Sequence, residues 1–539
     1  MPRAMPFFFA PWCFLCYAYR NGRCGRGETM AMGRKIRDFF CGAQEARAGA
    51  LVSVTVGALS KPVGYLRTLM LAWLFGASAG MDAFYVSMGI LSLLCQIVQN
   101  VTESALLPRL VRQETGADAA ALMARVFRLA LIGALLSAAL AAVFPAALVA
   151  FFARHFEPLR QVMAARMLVM LIPWGVAWIV LPFLGVWNNF NGRYSLSVSL
   201  AVLGHALLIP AIWAASFFWG VYAVPAMYSL VVALLAWGTF RVTGDFPWRA
   251  AGAAREEALR ELRTDCLLCV GIVGASGLYL LVDRYFASGL PAGNISALSY
   301  AGLIYMLPQS VLAPALMIYL HRASALMDSP EASQAQLETV MCTGWLYLLP
   351  PAALMSALSR PLVRIFLGYG AFDAAAVDLT APCVAAAAWS LPLMLWGQFL
   401  SRYAQAAGRL KTILSVSYGA LGVNAFLDWM LAPRWGAPGL CVATGLTWGG
   451  SALVYAALLA PGALKRAARA VWKPSLAFAL PCAALGPLRE NGVAAVLAGG
   501  LLAAAYYLGG ERLGFFDSVP PVWRPRALLK PARRRKRGK

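Results

Sequence analysis

Charge is scarce in this chain. Asp, Glu, Lys and Arg make up 13% of its residues, against 61% apolar side chains. So little charge cannot cover a water-soluble globule, and that class is excluded. Acid is scarcer than base, with 23 Asp and Glu against 46 Lys and Arg. The ~10-residue alternation of a membrane β-barrel is missing. So are a nucleophile–base pair, a Walker loop, a dinucleotide loop and a metal-binding helix. The sequence therefore reads as a non-enzyme with no cofactor and no ATP site. Any transport it performs runs on a gradient, on the membrane potential or downhill with its substrate. Its 11 cysteines form no disulfide framework. Most (Cys95, Cys266, Cys269, Cys342, Cys383, Cys441, Cys482) fall in apolar stretches, where a thiol is a small filler. Cys13/Cys16 and Cys266/Cys269 have metal-ligand spacing, but neither has a second pair or a histidine at zinc spacing, so no metal site is expected.

What the chain has in quantity is hydrophobic length. Apolar stretches of about twenty residues recur from Leu51 onward, each able to cross ~30 Å of hydrocarbon as a helix. Lipid offers unpaired backbone groups no water, so such segments close their own hydrogen bonds. The fold class is an all-α polytopic membrane protein of about 14 transmembrane helices, two six-helix lobes plus a C-terminal helix pair. Residues 1–49 read as a basic N-terminal segment, 50–241 as an N-lobe and 242–263 as a cytoplasmic amphipathic linker. Residues 264–461 read as a C-lobe, 462–510 as helices 13–14 and 511–539 as a basic cytoplasmic tail. The run Phe7 to Tyr19 suits a signal-like stretch, an interfacial helix or sequence upstream of a start at Met30 or Met32. Within the linker, Arg255 to Arg263 reads as a charged helix lying on the membrane surface. Phe75-Gly-Ala-Ser78 and Phe286-Ala-Ser288, about 210 residues apart, form a faint internal echo of the kind seen in transporters that rock two lobes about a central site.

Cations set the orientation. The even joints are rich in them (Arg109, Arg112 and Arg125; Arg241 to Arg263; Arg402, Arg409 and Lys411; Lys465 to Lys473), whereas the first and fifth have none. With both termini basic, the positive-inside rule puts both termini in the cytoplasm. The third joint, with Arg154 and Arg160, departs from the pattern. The net charge of +23 is thereby explained by topology and by attraction to anionic lipid heads, with no nucleic-acid partner.

An ionisable group near the bilayer centre costs ~2.5–3.5 kcal/mol on insertion scales, so each one asks for a reason. Lys61 and Arg67 share the first helix with Gly64 between them. They stand ~120° apart around the axis and ~9 Å along it, which lets both flank one cavity. Two cations with no acid nearby suit an anion, phosphate being the natural one, and make Lys61, Arg67 and Gly64 candidate substrate-binding residues. Snorkelling is the alternative for both, with Lys61 reaching towards the cytoplasmic face and Arg67 lying deeper. Glu103, Asp283 and Arg284 are candidates for ion coupling or for pairing the lobes. Asp82 reads as a helix cap, Asp428 as an interfacial residue, and His205 as a hydrogen-bonded packer.

Ser60-Lys-Pro-Val-Gly64-Tyr-Leu-Arg67, Leu74-Phe-Gly-Ala-Ser78 and Asp82-Ala-Phe84 resemble the first-helix signature of the MurJ/MviN lipid II flippases, members of the multidrug/oligosaccharidyl-lipid/polysaccharide exporter superfamily. Leu281 to Ser288, Ser296 to Ala301 with Pro308, Gly370 to Asp373 and Arg402 to Ala404 extend the likeness across roughly Leu51 to Leu508. The resemblance implies two six-helix lobes in a V, a lipid-facing groove made by the extra helix pair, alternating access, and residence in the bacterial cytoplasmic membrane. The implied partners are an undecaprenyl-diphosphate-linked saccharide, lipid II first, together with membrane lipids and a monovalent ion or the membrane potential. It also implies a cationic cavity, of which Lys61 and Arg67 look like two members. The chain departs from the family where an arginine pair of the second helix is replaced by Cys95 and Gln96. It departs again where an Asp-Arg of the eighth is replaced by Gly302 and Leu303, and where Thr68 stands for an aspartate. Either other cations take over, or the chain moves another lipid-linked surface-polysaccharide precursor, or it is a non-transporting partner in envelope assembly.

Overall fold

The computed structural model describes residues 46–113, 115–250, 256–485 and 492–529. Among them the regular structure is helical throughout. The first bundle comprises α1 (Ala46–Phe75), α2 (Ala79–Val101), α3 (Gly116–Val143), the short α4 (Pro145–Phe152), α5 (Pro158–Met170), α6 (Ile172–Phe190), α7 (Tyr194–Trp219) and α8 (Ala223–Thr243). The second comprises α9 (Glu256–Ala287), α10 (Asn294–Tyr305), α11 (Leu307–Ala325), α12 (Pro330–Ala357), the short α13 (Ser359–Leu367), α14 (Ala374–Ala388), α15 (Leu391–Ala406), α16 (Leu410–Trp435) and α17 (Ala437–Leu459). Two more helices, α18 (Pro461–Ala483) and α19 (Gly492–Arg512), follow and pack on α12 and α13.

Three predicted spans are bent rather than straight: α5/α6 by 43°, α10/α11 by 45° and α14/α15 by 56°. Each break is followed by a proline in the first turn of the next helix, Pro173, Pro308 and Pro392. Proline has no N–H to give and its ring displaces the carbonyl four residues back, so the helix turns there. Among the described residues eight helices are long and apolar enough to cross a membrane, or eleven if each bent pair is one span. The expected fourteen also takes α1 and α18 as spans and divides the 42-residue stretch Val202–Thr243 between α7 and α8. Outward faces carry large exposed apolar side chains, such as Ile132, Leu136 and Leu140 on α3 and Phe426 and Trp429 on α16, as a hydrocarbon solvent permits.

In the first bundle α1 lies along α7, α7 on α8, α8 on α6, and α2 and α3 against α6. In the second, α9 lies on α16, α16 on α17, α17 on α14 and α15, and α12 on α11 and α15. The bundles meet along α2 and α9, and where α10 reaches α1 and α2. Helix α9 runs unbroken from Glu256 to Ala287, so the charged stretch after Arg255 is continuous with the apolar stretch Val270–Ala287. Cys13, Cys16, Met30, Met32 and the tail beyond residue 529 lie outside the described residues.

Candidate functional site

One end of the seam between the bundles is clasped. Ser78 caps α2, its Oγ accepting from Met81 N at 3.4 Å, and this leaves Asp82 free for another helix. Asp82 accepts from Gly293 N at 2.6 Å, Ser296 N at 2.7 Å and Ser296 Oγ at 2.8 Å. The carboxylate thus caps α10 in the opposite bundle, where its charge meets the helix N-terminus. Arg160 stands 3.9 Å from Asp82 and donates to Leu290 O at 3.4 Å. Asp82 is fully buried and Arg160 is 4% exposed. Ala371 N donates to Trp73 O at 2.8 Å, and Tyr300 OH to Gly76 O at 3.3 Å. Gly293, at φ +94°, allows the close approach: a Cβ there would lie 2.8 Å from Ala77 O. Asp82 is therefore a cap, as expected, but of the other lobe's helix. Arg160, which broke the charge pattern, is an internal partner and not a topology signal.

Beyond the clasp the first bundle holds a cavity of about 600 Å³. Arg67 Nη1 is 3.0 Å from His205 Nδ1, and its Cζ lies 5.3 Å from the centre of the Tyr228 ring. Arg67 Nε is buried with no partner. Gly64, one turn back, leaves room for the imidazole: a Cβ there would sit 3.6 Å from it. The lining runs from Arg67 and Tyr228 past Trp174 and Trp178, stacked 5.8 Å apart, to Glu103, Asn189 and Thr239 near the unclasped ends of their helices. Glu103 lies in the π-helical turn Thr102–Leu106 that continues α2 and accepts from Gln99 Nε2 at 3.1 Å. Such turns re-aim side chains and recur at functional sites.

A second cavity, of about 810 Å³, lies in the other bundle. Lys61 lines it, as do Tyr279, Gln309, Gln398, Arg402 and Trp448. Lys61 Nζ donates to Ser310 O at 3.1 Å. Lys61 and Arg67 thus address two cavities from one helix; the ~120° between them separates them instead of pairing them.

Deeper in the second bundle is a cluster of oxygen donors. Asn424 Nδ2 donates to Asp283 Oδ1 at 2.7 Å and to Asp428 Oδ2 at 2.9 Å, and Thr444 Oγ1 to Asp283 Oδ2 at 3.2 Å. Asn424 and Asp428 are fully buried, and an oxygen of each, Asn424 Oδ1 and Asp428 Oδ1, has no partner. Asp428 is therefore no interfacial residue: it faces inward, which position along a helix does not reveal. Among the described residues no group of three or more His, Cys, Asp or Glu is placed to hold a metal ion. The carboxylate, carboxamide and hydroxyl oxygens present instead suit a proton or a hard monovalent cation.

The family model described as "Lipid II flippase MurJ" matches residues 71–504. The chain belongs to the lipid II flippase MurJ family. The lipid II flippase MurJ of Burkholderia cenocepacia is 25% identical over 441 residues, covering 77% of this chain and 83% of that one. The probable lipid II flippase MurJ of Thermotoga maritima is 25% identical over 397 residues, covering 72% and 80%. A solved lipid II flippase MurJ in an inward closed conformation superposes with a TM-score of 0.73 at 16% identity, covering 86% of this chain and 99% of that one. A multidrug-resistance MATE transporter of the MOP superfamily, in an inward-facing conformation, superposes at 0.64 with 14% identity, over 78% and 98%. These likenesses of fold agree with the all-helical membrane architecture.

Set in the MurJ family, the departures acquire positions. Cys95 is buried and its Sγ lies 3.6 Å from Gly175 O, so it packs α2 on α6. A Cβ at Gly302 would meet nothing within 4 Å. His205, Asn424, Thr444 and the tryptophan pair carried no site signal in the sequence; their roles depend on which helices become neighbours.

Proposed function

We propose that this chain moves lipid II across the bacterial cytoplasmic membrane by alternating access, with both termini in the cytoplasm. The observation that carries the reading is Arg67, a half-buried cation with an unpartnered Nε, facing a cavity on the unclasped side of a sealed lobe seam. A diphosphate supplies the anion that such a group lacks in a medium of low dielectric. Cation-rich joints fall at the unclasped end, so the cavities face the cytoplasm, where lipid-linked precursors are made. The diphosphate docks on Arg67 beside His205, the saccharide occupies the cavity along Trp174 and Trp178, and the prenyl chain stays in lipid. Lys61 holds the other side of the cleft through α11 until the lobes rock. Opening then requires Asp82 to release Gly293 and Ser296. Membrane lipids solvate the outer faces throughout.

Coupling is assigned to the second lobe. Asp283, Asp428, Asn424 and Thr444 bind a monovalent cation or a proton, and filling this site biases the lobe's position through α9. Glu103 orients the head group at the cavity's mouth. The test is complementation of a bacterium depleted of its own lipid II flippase, with membrane insertion verified. Rescue supports lipid II transport; lysis despite normal insertion contradicts it and points to another lipid-linked saccharide.

A further inference from the structure

Helix α2 carries neither lysine nor arginine. Yet a guanidinium does reach α2, from the other bundle. Arg284, near the end of α9, lies against Gly89: a Cβ added at Gly89 would overlap Arg284 Nη1. Nη1 is buried and has no hydrogen-bond partner, and no ion pair of Arg284 exists among the described residues. Its neighbour Asp283 acts on it through charge alone and makes no hydrogen bond to it; the carboxylate oxygens accept from Asn424 and Thr444. Tyr85, one turn from Gly89 on α2, lies within electrostatic reach of both Arg284 and Arg67. Arg67 on α1, Tyr85 on α2 and Arg284 on α9 are thus coupled electrostatically across the lobe seam.

A cation in this position asks for an anion. Taking a charge out of water is costly and a partner offsets that cost, and ionisable groups within membrane helices mark ligand paths. Glycine at position 89 is what admits the guanidinium, because any side chain there competes for its space. We infer that Arg284 is the second cationic contact for the substrate's diphosphate, reaching across the lobe seam into the place that Gly89 leaves open on α2. The inference rests on the flippase reading and adds to it how the chain works without cations on its second helix. Because Arg284 belongs to the second lobe and Arg67 to the first, one diphosphate held by both ties its own binding to the distance between the lobes.

The test is binding of undecaprenyl diphosphate, with undecaprenyl monophosphate as comparison, to the full chain in lipid nanodiscs. Losing one charge-assisted contact corresponds to about tenfold weaker binding or more. Arg284→Met is expected to weaken diphosphate binding by about that factor and monophosphate binding less. Its melting temperature should equal or exceed the parent's, because an apolar side chain replaces an unpaired buried charge. Arg284→Lys keeps the charge and should recover part of the affinity. Gly89→Ala keeps the arginine but displaces it, and should fall between parent and Arg284→Met. If Arg284→Met binds diphosphate as the parent does, or loses affinity only together with thermal stability, the inference is overturned while the flippase reading stands. If the parent binds neither lipid, both are overturned.

Discussion

The two lobes share an architecture and carry opposite chemistry. The first places a cation, Arg67, at a cavity wall with an imidazole partner, His205, 3.0 Å away. The second buries two carboxylates, Asp283 and Asp428, around one carboxamide at 2.7 and 2.9 Å. A cation held by an imidazole and a ring face keeps most of its charge for a ligand. Two carboxylates sharing one amide donor have more acceptor than donor, and call for a proton or a cation between them. The difference separates the tasks: the first lobe's cavity receives the anionic cargo, towards which Arg284 alone reaches from the second lobe, and the second lobe's buried carboxylates receive the ion that drives or times the movement.

Four substitutions break or sharpen that contrast. The largest effect belongs to Arg67→Ala, which should abolish complementation at normal membrane levels; lipid II binding should fall about tenfold to a hundredfold. Asp82→Ala comes next. It leaves two backbone amides without an acceptor in a buried seam and removes one of Arg160's two acidic partners, Glu157 being the other; breaking a buried pair costs about 3–5 kcal/mol at most. Spin labels placed across the clasp should report a growing open population; an unchanged distance distribution would contradict the latch. Asp428→Asn should act on the other lobe alone. The parent should melt higher in sodium, lithium or potassium chloride than in choline chloride, by mass action on the folded state, and the variant should lose that difference while still binding lipid II. Trp178→Ala should be mildest, weakening binding of the sugar-bearing lipid a few-fold but leaving undecaprenyl diphosphate unaffected.

How much of this is legible in the sequence follows from which interactions are local. Hydrophobic length, cation asymmetry and the in-helix charges suffice for the membrane fold class, and the bends at Pro173, Pro308 and Pro392 have local causes. The family signature around Lys61 and Arg67 is equally plain. Partners across the sequence are not: Arg67 and His205 are 138 residues apart, and Asp82 meets Ser296 across 214. Helical spacing gives the angle between Lys61 and Arg67 but not the two cavities that flank α1. Asp428 lies near the end of its helix, which suggests an interface, and only the packing of α16 on α9 and α17 turns it inward. Arg160 looks like a stray topology charge in the sequence because the acid that needs it lies on another helix.

The most direct test of the account is transport itself. The full chain, reconstituted in proteoliposomes with lipid II confined to the inner leaflet, should deliver lipid II to an external head-group probe, and Arg67→Gln should reduce that delivery to the protein-free rate. Equal delivery by parent and Arg67→Gln, or none by a properly inserted parent, would contradict it.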